Sequence, residues 1–339
     1  MPEISAPAIV ADALVKTYRG RGRRPEVRAL DGLTFAVPPG SVFGLLGPNG
    51  AGKSTTTKIL TTLSRPTSGT ARVAGHDVQR APDAVRAAIG YVSQGSSTDP
   101  VLTATENLEI AARLRGVPGS EARRRAARLL DEFGLAEASR RPVSTFSGGM
   151  RRRLDVAAAL VHRPGVLFLD EPTTGLDPEA RAAMWAEIRR LSGVESLTVV
   201  LTTHYMEEAD RLADEILLVN GGRAVVQGTP EQLKAALHGD SVRVTLIEPD
   251  PDAVRAAVAR VPGLRDVIVE ASGVDGTLAA RTDDASAAVG AIIAALDAAG
   301  IRFGQVAASH PTLDDVYLHF VGHTYGEAPS DIVSTGAAA

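Results

Sequence analysis

Cysteine is absent from all 339 residues, which excludes disulfides, thiolate zinc sites and cysteine nucleophiles together. A long apolar run is missing too. The longest, Ala285 to Leu296, is closed by Asp297 and is too short to span a bilayer. Met1 to Val10 holds no basic stretch followed by an apolar core, so no secretory signal is expected. There is no large excess of basic charge. The net charge of −4 argues against nucleic acid as the main partner. What remains is ordinary for a globular chain, 44% hydrophobic and 22% charged, with length enough for two domains that each bury a core. The expected setting is the cytosol, with any membrane role exercised through a partner.

One stretch organises the rest. Gly47-Pro48-Asn49-Gly50-Ala51-Gly52-Lys53-Ser54-Thr55 fits G-x-x-x-x-G-K-[ST], preceded by an apolar strand (Val42 to Leu46) and followed by a helix expected over Thr55 to Leu63. Glycines let the backbone curl and aim its N–H groups at phosphate oxygens, and the helix start adds partial positive charge. Lys53 is placed to reach the β- and γ-phosphates, and the Ser54 hydroxyl to ligate Mg²⁺.

Ahead of the loop, Ala8 to Leu14 reads as an edge strand ending in a loop at Lys16-Thr17-Tyr18, where the Tyr18 ring could stack on a purine. Arg19, Arg21, Arg23 and Arg24 follow and read most simply as a solvated loop. Val27 to Val37 is a further strand, turned by Pro38-Pro39-Gly40 into the phosphate-loop strand. Beyond it come strands at Gly69 to Gly75 and Ile89 to Ser93, the latter ending at Gln94. Thr103 to Val161 is then mostly helical, with Leu108, Ala111, Ala112, Leu114, Ala126, Leu129, Leu130 and Phe133 at helical spacing. A helical block between strands reads as an inserted subdomain, spanning about residues 95–165.

Val166 to Glu171 is an apolar strand ending in two carboxylates. A buried parallel strand has little reason to end in adjacent acids unless they face a cation or a reacting water. Asp170 can partner Ser54 in holding Mg²⁺, and Glu171 can act as general base on water. Ala180 to Leu191 is expected to be helical, with Trp185 against the core. His204 follows the strand Leu197 to Thr202, at the sheet edge where a γ-phosphate contact is credible. Strands at Ile216 to Val219 and Arg223 to Gln227 close this part near Pro230.

A second anion site is encoded far from the first. Ser147-Gly148-Gly149 opens a helix from Arg151 to Leu160, offering free N–H groups and a hydroxyl. One nucleotide does not need both elements in one chain. Two chains about a two-fold axis would, each presenting its Ser-Gly-Gly across the other's phosphate loop. Asp177, after the acidic pair, would lie near that interface.

In this order the constellation resembles the ATP-binding cassette (ABC) ATPases over about residues 8–230. The resemblance implies a P-loop NTPase cassette of α/β class, with a RecA-like core plus helical subdomain. Tyr18 is similar to the adenine-stacking aromatic, and Gly47 to Thr55 to the Walker A loop. Gln94 is similar to the loop glutamine that senses Mg²⁺ and the transmembrane partner, and Ser147-Gly148-Gly149 to the signature motif. Asp170-Glu171 resembles Walker B with its catalytic glutamate, Asp177 the D-loop residue and His204 the switch histidine. Phe146 and Met150 stand where many members have Leu and Gln. Two strings, Phe146 to Asp155 and Pro311 to Leu318, resemble the daunorubicin/doxorubicin-resistance ATPases of ABC-2-type exporters. That implies ATP and Mg²⁺ as cofactors, a homodimer of this chain and a separate integral membrane permease of ABC-2 type. It also implies efflux of a drug-like or lipid-like compound, hence antibiotic resistance, from the cytoplasmic face of the cell membrane.

After a helix at Glu231 to Leu237 the composition shifts. Strands at Ser241 to Ile247, Leu264 to Glu270, Thr277 to Arg281 and Ile301 to Ala307 alternate with helices at Pro251 to Val261 and Ala285 to Ala299. That order, βαββαβ, is a ferredoxin-like α+β fold over residues 240–322, with a last helix from Leu313 to Phe320 and a disordered tail expected over 323–339. In relatives such pieces resemble dimer-stabilising or regulatory additions. The ABC domain itself is expected over 5–232. Two alternatives stand beside the transport reading: a soluble ABC-type ATPase acting on nucleic acid or ribosomes, and a nucleotide-sensing module that does not hydrolyse. Charge and the lack of a long coiled-coil insertion oppose the first, and Glu171 with His204 the second.

Overall fold

Strand patterning separates two sheets in the first two-thirds of the chain. In the computed structural model residues 6–19, 26–195, 197–272 and 275–321 are described; Arg21, Arg23, Arg24, Gly273 and the tail expected over 323–339 lie outside them. The chain divides into two compact units, the first ending at Gln227 and the second beginning at Gly228.

In the first unit β1 (Ile9–Tyr18) and β2 (Val27–Val37) form an antiparallel pair. β3 (Val42–Leu46) is buried at every position and runs straight into the phosphate loop. It lacks alternation because a parallel strand is covered on both faces. α1 (Lys53–Leu60) begins at the loop's own lysine, two residues earlier than the sequence suggests, and stops at Leu60. β4 (Ser68–Val73) and β5 (His76–Asp77) complete a first sheet of order β2-β1-β4-β5. β1 is therefore an inner strand, not the edge strand expected, and it runs on through Tyr18 with a bulge at Ala13, whose φ is 46°. Pairing on its far side comes from residues more than fifty positions away, which local alternation does not reveal.

α2 (Pro82–Ala88) leads into β6 (Ile89–Val92), and the helical insertion follows: α3 (Ala104–Leu114), α4 (Gly119–Glu132), two short 3₁₀ turns and α5 (Gly148–Leu160). α3 starts at a capping box in which Thr103 and Glu106 satisfy each other's backbone N–H groups. Leu108, Ala112, Ala126, Leu130 and Phe133 are buried as their spacing predicts, but Leu114, at the end of α3, is 82% exposed. β7 (Val166–Asp170) returns beside β6, and α6 (Pro178–Glu195), β8 (Thr198–Thr203), α7 (Met206–Leu212), β9 (Glu215–Asn220) and β10 (Arg223–Gly228) close the second sheet, of order β10-β9-β3-β8-β7-β6. β9, β3, β8, β7 and β6 run parallel, so their C-terminal ends gather the segments that follow Leu46, Val92, Asp170 and Thr203 on one rim. Phe43 and Phe168 are fully buried in the core between the two sheets. Side chains of that size contribute about 1.5–3 kcal/mol each. Trp185 packs half-buried against the core under the other face, its Nε1–H donating to Glu208 Oε1 at 3.1 Å.

The second unit begins with α8 (Pro230–Ala235) and continues β11 (Asp240–Ile247), α9 (Pro251–Val258), β12 (Arg265–Ser272), β13 (Asp275–Thr282), α10 (Ala285–Ala298), β14 (Phe303–Ser309) and α11 (Leu313–Val321). Its antiparallel sheet has the order β12-β13-β11-β14, the ferredoxin-like arrangement. Val242, Val244 and Leu246 meet Val254, Val258, Ile292 and Leu296 in its core.

Candidate active site

The loop between β3 and α1 is tight for a steric reason. A Cβ on Gly47 would lie 2.2 Å from Val219 O, and one on Gly52 would lie 2.7 Å from Ala29 O with φ at +110°. No other residue fits either position without moving backbone. The Lys53 side chain is 5% exposed, its Nζ donating to Gly47 O at 2.5 Å and Pro48 O at 3.0 Å. Burial lowers its pKa from the ordinary 10.5, while Glu171 and Asp170 pull the other way. A groove of about 330 Å³, within the usual range for small-molecule sites, is lined by Tyr18, Val27, Arg28, Pro48 to Gly50, Gly52 to Thr55 and Glu171. Tyr18 is 41% exposed there, with Lys16 Nζ 4.9 Å from its ring centroid.

Glu171 is the hub of the opposite wall. Its Oε2 accepts from Gln94 Nε2 at 3.2 Å and from Thr174 Oγ1 at 3.3 Å. His204 Nδ1 lies 3.2 Å from Oε1, with no hydrogen bond between them. Three residues from three strand ends thus converge, as the parallel topology requires. β7 stops at Asp170, one residue short of the expected strand, because Glu171 takes a left-handed backbone with φ at +48°. That turn breaks the strand's alternation and re-aims the carboxylate. Asp170 Oδ1 accepts a 2.6 Å hydrogen bond from Thr202 Oγ1 on neighbouring β8.

Ser147, Gly148, Gly149 and Asp177 are not among the groove's lining residues. Ser147 caps α5, accepting from Met150 N at 3.2 Å, and Asp177 caps α6, accepting from Ala180 N at 2.8 Å. The two caps lie side by side: a Cβ on Gly148 would touch Leu176, and one on Gly149 would meet Ala180.

Sequence reasoning passes over several residues here. Thr202 orients Asp170, and the buried Glu208 joins Thr173 Oγ1 at 2.8 Å to Trp185. Arg152 and Asp155, inside the run Arg151 to Asp155, are buried. A mid-helix arginine among three gives no sign of which one points inward, except that position 152 shares a face with Val156 and Ala159.

A phosphate loop faced by carboxylates on a neighbouring parallel strand, with a helical block inserted before that strand, defines a P-loop nucleoside triphosphatase. The ABC transporter family model matches residues 30–174, and the chain belongs to that family: it is the ATP-binding subunit of an ABC transporter and an ATPase. It is 46% identical to the daunorubicin resistance ATP-binding protein DrrA3 of Streptomyces coeruleorubidus, across 92% of this chain and 97% of that one. It is 44% identical to the daunorubicin/doxorubicin resistance ATP-binding protein DrrA of Streptomyces peucetius, across 98% and 96%. The Nod factor export ATP-binding protein I of Ralstonia nicotianae is 43% identical across 67% and 70%. Among solved structures, the dimeric post-hydrolysis state of the ATP-binding cassette MJ0796, bound to ADP and Pi, superposes with a TM-score of 0.59. It shares 26% identity, over 65% of this chain and 98% of that one. The fold class is as the sequence predicts. Among the described residues no helix is long and apolar enough to cross a membrane.

Proposed function

We propose that this chain works as a homodimer on the cytoplasmic face of the membrane, hydrolysing MgATP to drive export of a drug-like or lipid-like compound through a separate permease of ABC-2 type. The observation that carries the chemical part is Glu171, set in the groove wall with Gln94 and His204 both at 3.2 Å. Relatives named for daunorubicin resistance support the class of cargo.

The donors suit Mg²⁺. Ser54 Oγ, a carboxylate oxygen of Asp170 and the Gln94 carbonyl are hard oxygen ligands, and Mg²⁺ usually takes one or two carboxylates plus substrate phosphates. When bound, the ion supplies charge neutralisation at the β- and γ-oxygens. The residues do the rest. Gly47 to Thr55 cradle the phosphates with backbone N–H groups, Lys53 adds its charge, and Tyr18 stacks on the base. Glu171 takes the proton of the attacking water, Gln94 orients that water, and His204, beside Glu171, reaches toward the γ-phosphate. Ser147, Gly148, Gly149 and Asp177 lie outside the groove of their own chain and complete the neighbour's.

Glu171→Gln keeps size and loses only the base. Turnover should fall by ~10²–10⁴, the usual worth of a positioned base, with ATP still bound and the dimer accumulating on gel filtration. An unchanged kcat removes Glu171 from the role. Co-purification of the chain with a membrane subunit tests the partner, and a chain that stays monomeric with ATP in the Glu171→Gln form overturns the dimer.

A further inference from the structure

α5 carries two buried charges one turn apart, Arg152 at 7% exposure and Asp155 at 2%. Neither lines the groove. The Arg152 guanidinium donates to a set of carbonyls that all belong to strand ends at the site: Nε to Pro172 O at 2.9 Å, Nη1 to Ser93 O at 2.6 Å, and Nη2 to Asp170 O at 3.0 Å and Glu171 O at 3.3 Å. Ser93 directly precedes Gln94. Asp155 Oδ1 accepts from Ser96 Oγ at 3.1 Å, Ser97 N at 3.0 Å and Ser97 Oγ at 3.2 Å, just beyond Gln94.

We propose that Arg152, assisted by Asp155, is a positioning residue for ATP hydrolysis: from α5 it fixes the backbone on either side of Gln94 and the left-handed turn at Glu171, and so sets where those two side chains meet. The inference rests on the reading of Glu171 as base. Glu171 has φ at +48°, a conformation that a residue with a Cβ keeps only when its surroundings impose it, and Arg152 holds the carbonyls of the residues on both sides of that turn as well as its own. Only a planar fork of five donors can bridge two adjacent strand ends in this way; an ammonium cannot. Burial lowers the Arg152 pKa while Asp155, Asp170 and Glu208 oppose that. A guanidinium stays protonated in proteins, so its hydrogen bonds here are charge-assisted. Both charges sit on the helix that Ser147 caps.

The test compares Arg152→Ala, Arg152→Lys, Asp155→Asn and Glu171→Gln in steady-state ATP hydrolysis, with ADP binding measured directly. Misplacing a reacting group by about 1 Å costs on the order of 100-fold, so kcat of Arg152→Ala should fall by about 10–100-fold, with KM for ATP and the ADP dissociation constant within about threefold of wild type. Guanidinium ion added to Arg152→Ala should restore part of kcat, and sodium chloride at equal ionic strength should not. Should Arg152→Ala fail to fold, Arg152→Lys and Asp155→Asn carry the test, each expected to lower kcat while leaving ADP affinity in place. A kcat near wild type in the Arg152 variants beside an inactive Glu171→Gln overturns the positioning role. So does a loss of ADP affinity that matches the loss of kcat, which would mark mere collapse of the site. Retained turnover in Glu171→Gln itself overturns the base reading and this proposal with it.

Discussion

Thr202→Val removes the side-chain hydrogen bond that the Asp170 carboxylate accepts. Thr202 is 1% exposed, and its hydroxyl donates to Asp170 Oδ1 at 2.6 Å while receiving Glu171 N–H at 3.2 Å. Valine has nearly the same shape, and the Glu171 N–H keeps its 3.1 Å bond to Thr202 O, so no backbone donor is stranded. A hydrogen bond to a charged group contributes about 1.5–3 kcal/mol, and the buried methyl returns about 0.8 kcal/mol, leaving a net loss of about 1–2 kcal/mol. For a unit of this size that is a drop in Tm of about 2–8 °C, read by calorimetry. The functional effect should be larger than the stability effect implies. Removing a hydrogen bond that orients a metal-binding carboxylate costs about 10–100-fold in metal affinity or activity, so the Mg²⁺ concentration for half-maximal ATP hydrolysis should rise by that factor. Nucleotide binding without the metal should be unchanged, because Lys53 and the loop are untouched. Wild-type Mg²⁺ dependence in Thr202→Val would refute the assignment of Asp170 as the metal's carboxylate.

Two further outcomes follow from the same geometry. Ser147→Ala removes the α5 cap and should lower stability by about 1 kcal/mol. If Ser147 also completes the neighbour's nucleotide site, losing that charge-assisted bond should cut kcat by a further factor of about 10–100 without weakening ADP binding to the isolated chain, and a kcat loss absent from the enzyme assay removes Ser147 from the site. Lys53→Met should abolish hydrolysis and also change how stability depends on pH. The folded chain holds the Lys53 ammonium below its ordinary 10.5, so in the window between that lowered value and 10.5 the unfolded chain binds more protons. Wild type should therefore gain stability relative to Lys53→Met as pH rises through that window, and parallel pH profiles in denaturant titrations would contradict the burial of the charge.

The site is legible in the sequence wherever chemistry and local backbone demand coincide. A phosphate loop needs glycine where a Cβ would strike Val219 O or Ala29 O, so Gly47 and Gly52 announce themselves in one dimension. Adjacent acids after four apolar residues are conspicuous for the same reason, as charge has no place at the end of a buried strand without a task. β1 reads as an edge strand in one dimension because strand neighbours are chosen by distant segments, and its second partner, β4, lies beyond the whole phosphate-loop helix. The C-terminal unit is readable in outline, since the alternation of strand and helix periods survives without knowledge of the pairing.

Local pattern thus outlined most of the elements, the phosphate loop and the ATPase chemistry, because these depend on residue type at short spacing. The short α2 and α7 and the two-residue β5 escaped it. Only the tertiary structure decided which buried side chains are brought against the strand ends beside the groove. Arg152 looks like its neighbours Arg151 and Arg153 until the ends of β6 and β7 are brought beneath α5, and Thr202 looks like any β-branched strand residue until β7 is laid beside β8. Their partners are backbone carbonyls and a carboxylate from other strands, and a hydrogen bond between segments exists only once the sheet order has set both ends side by side.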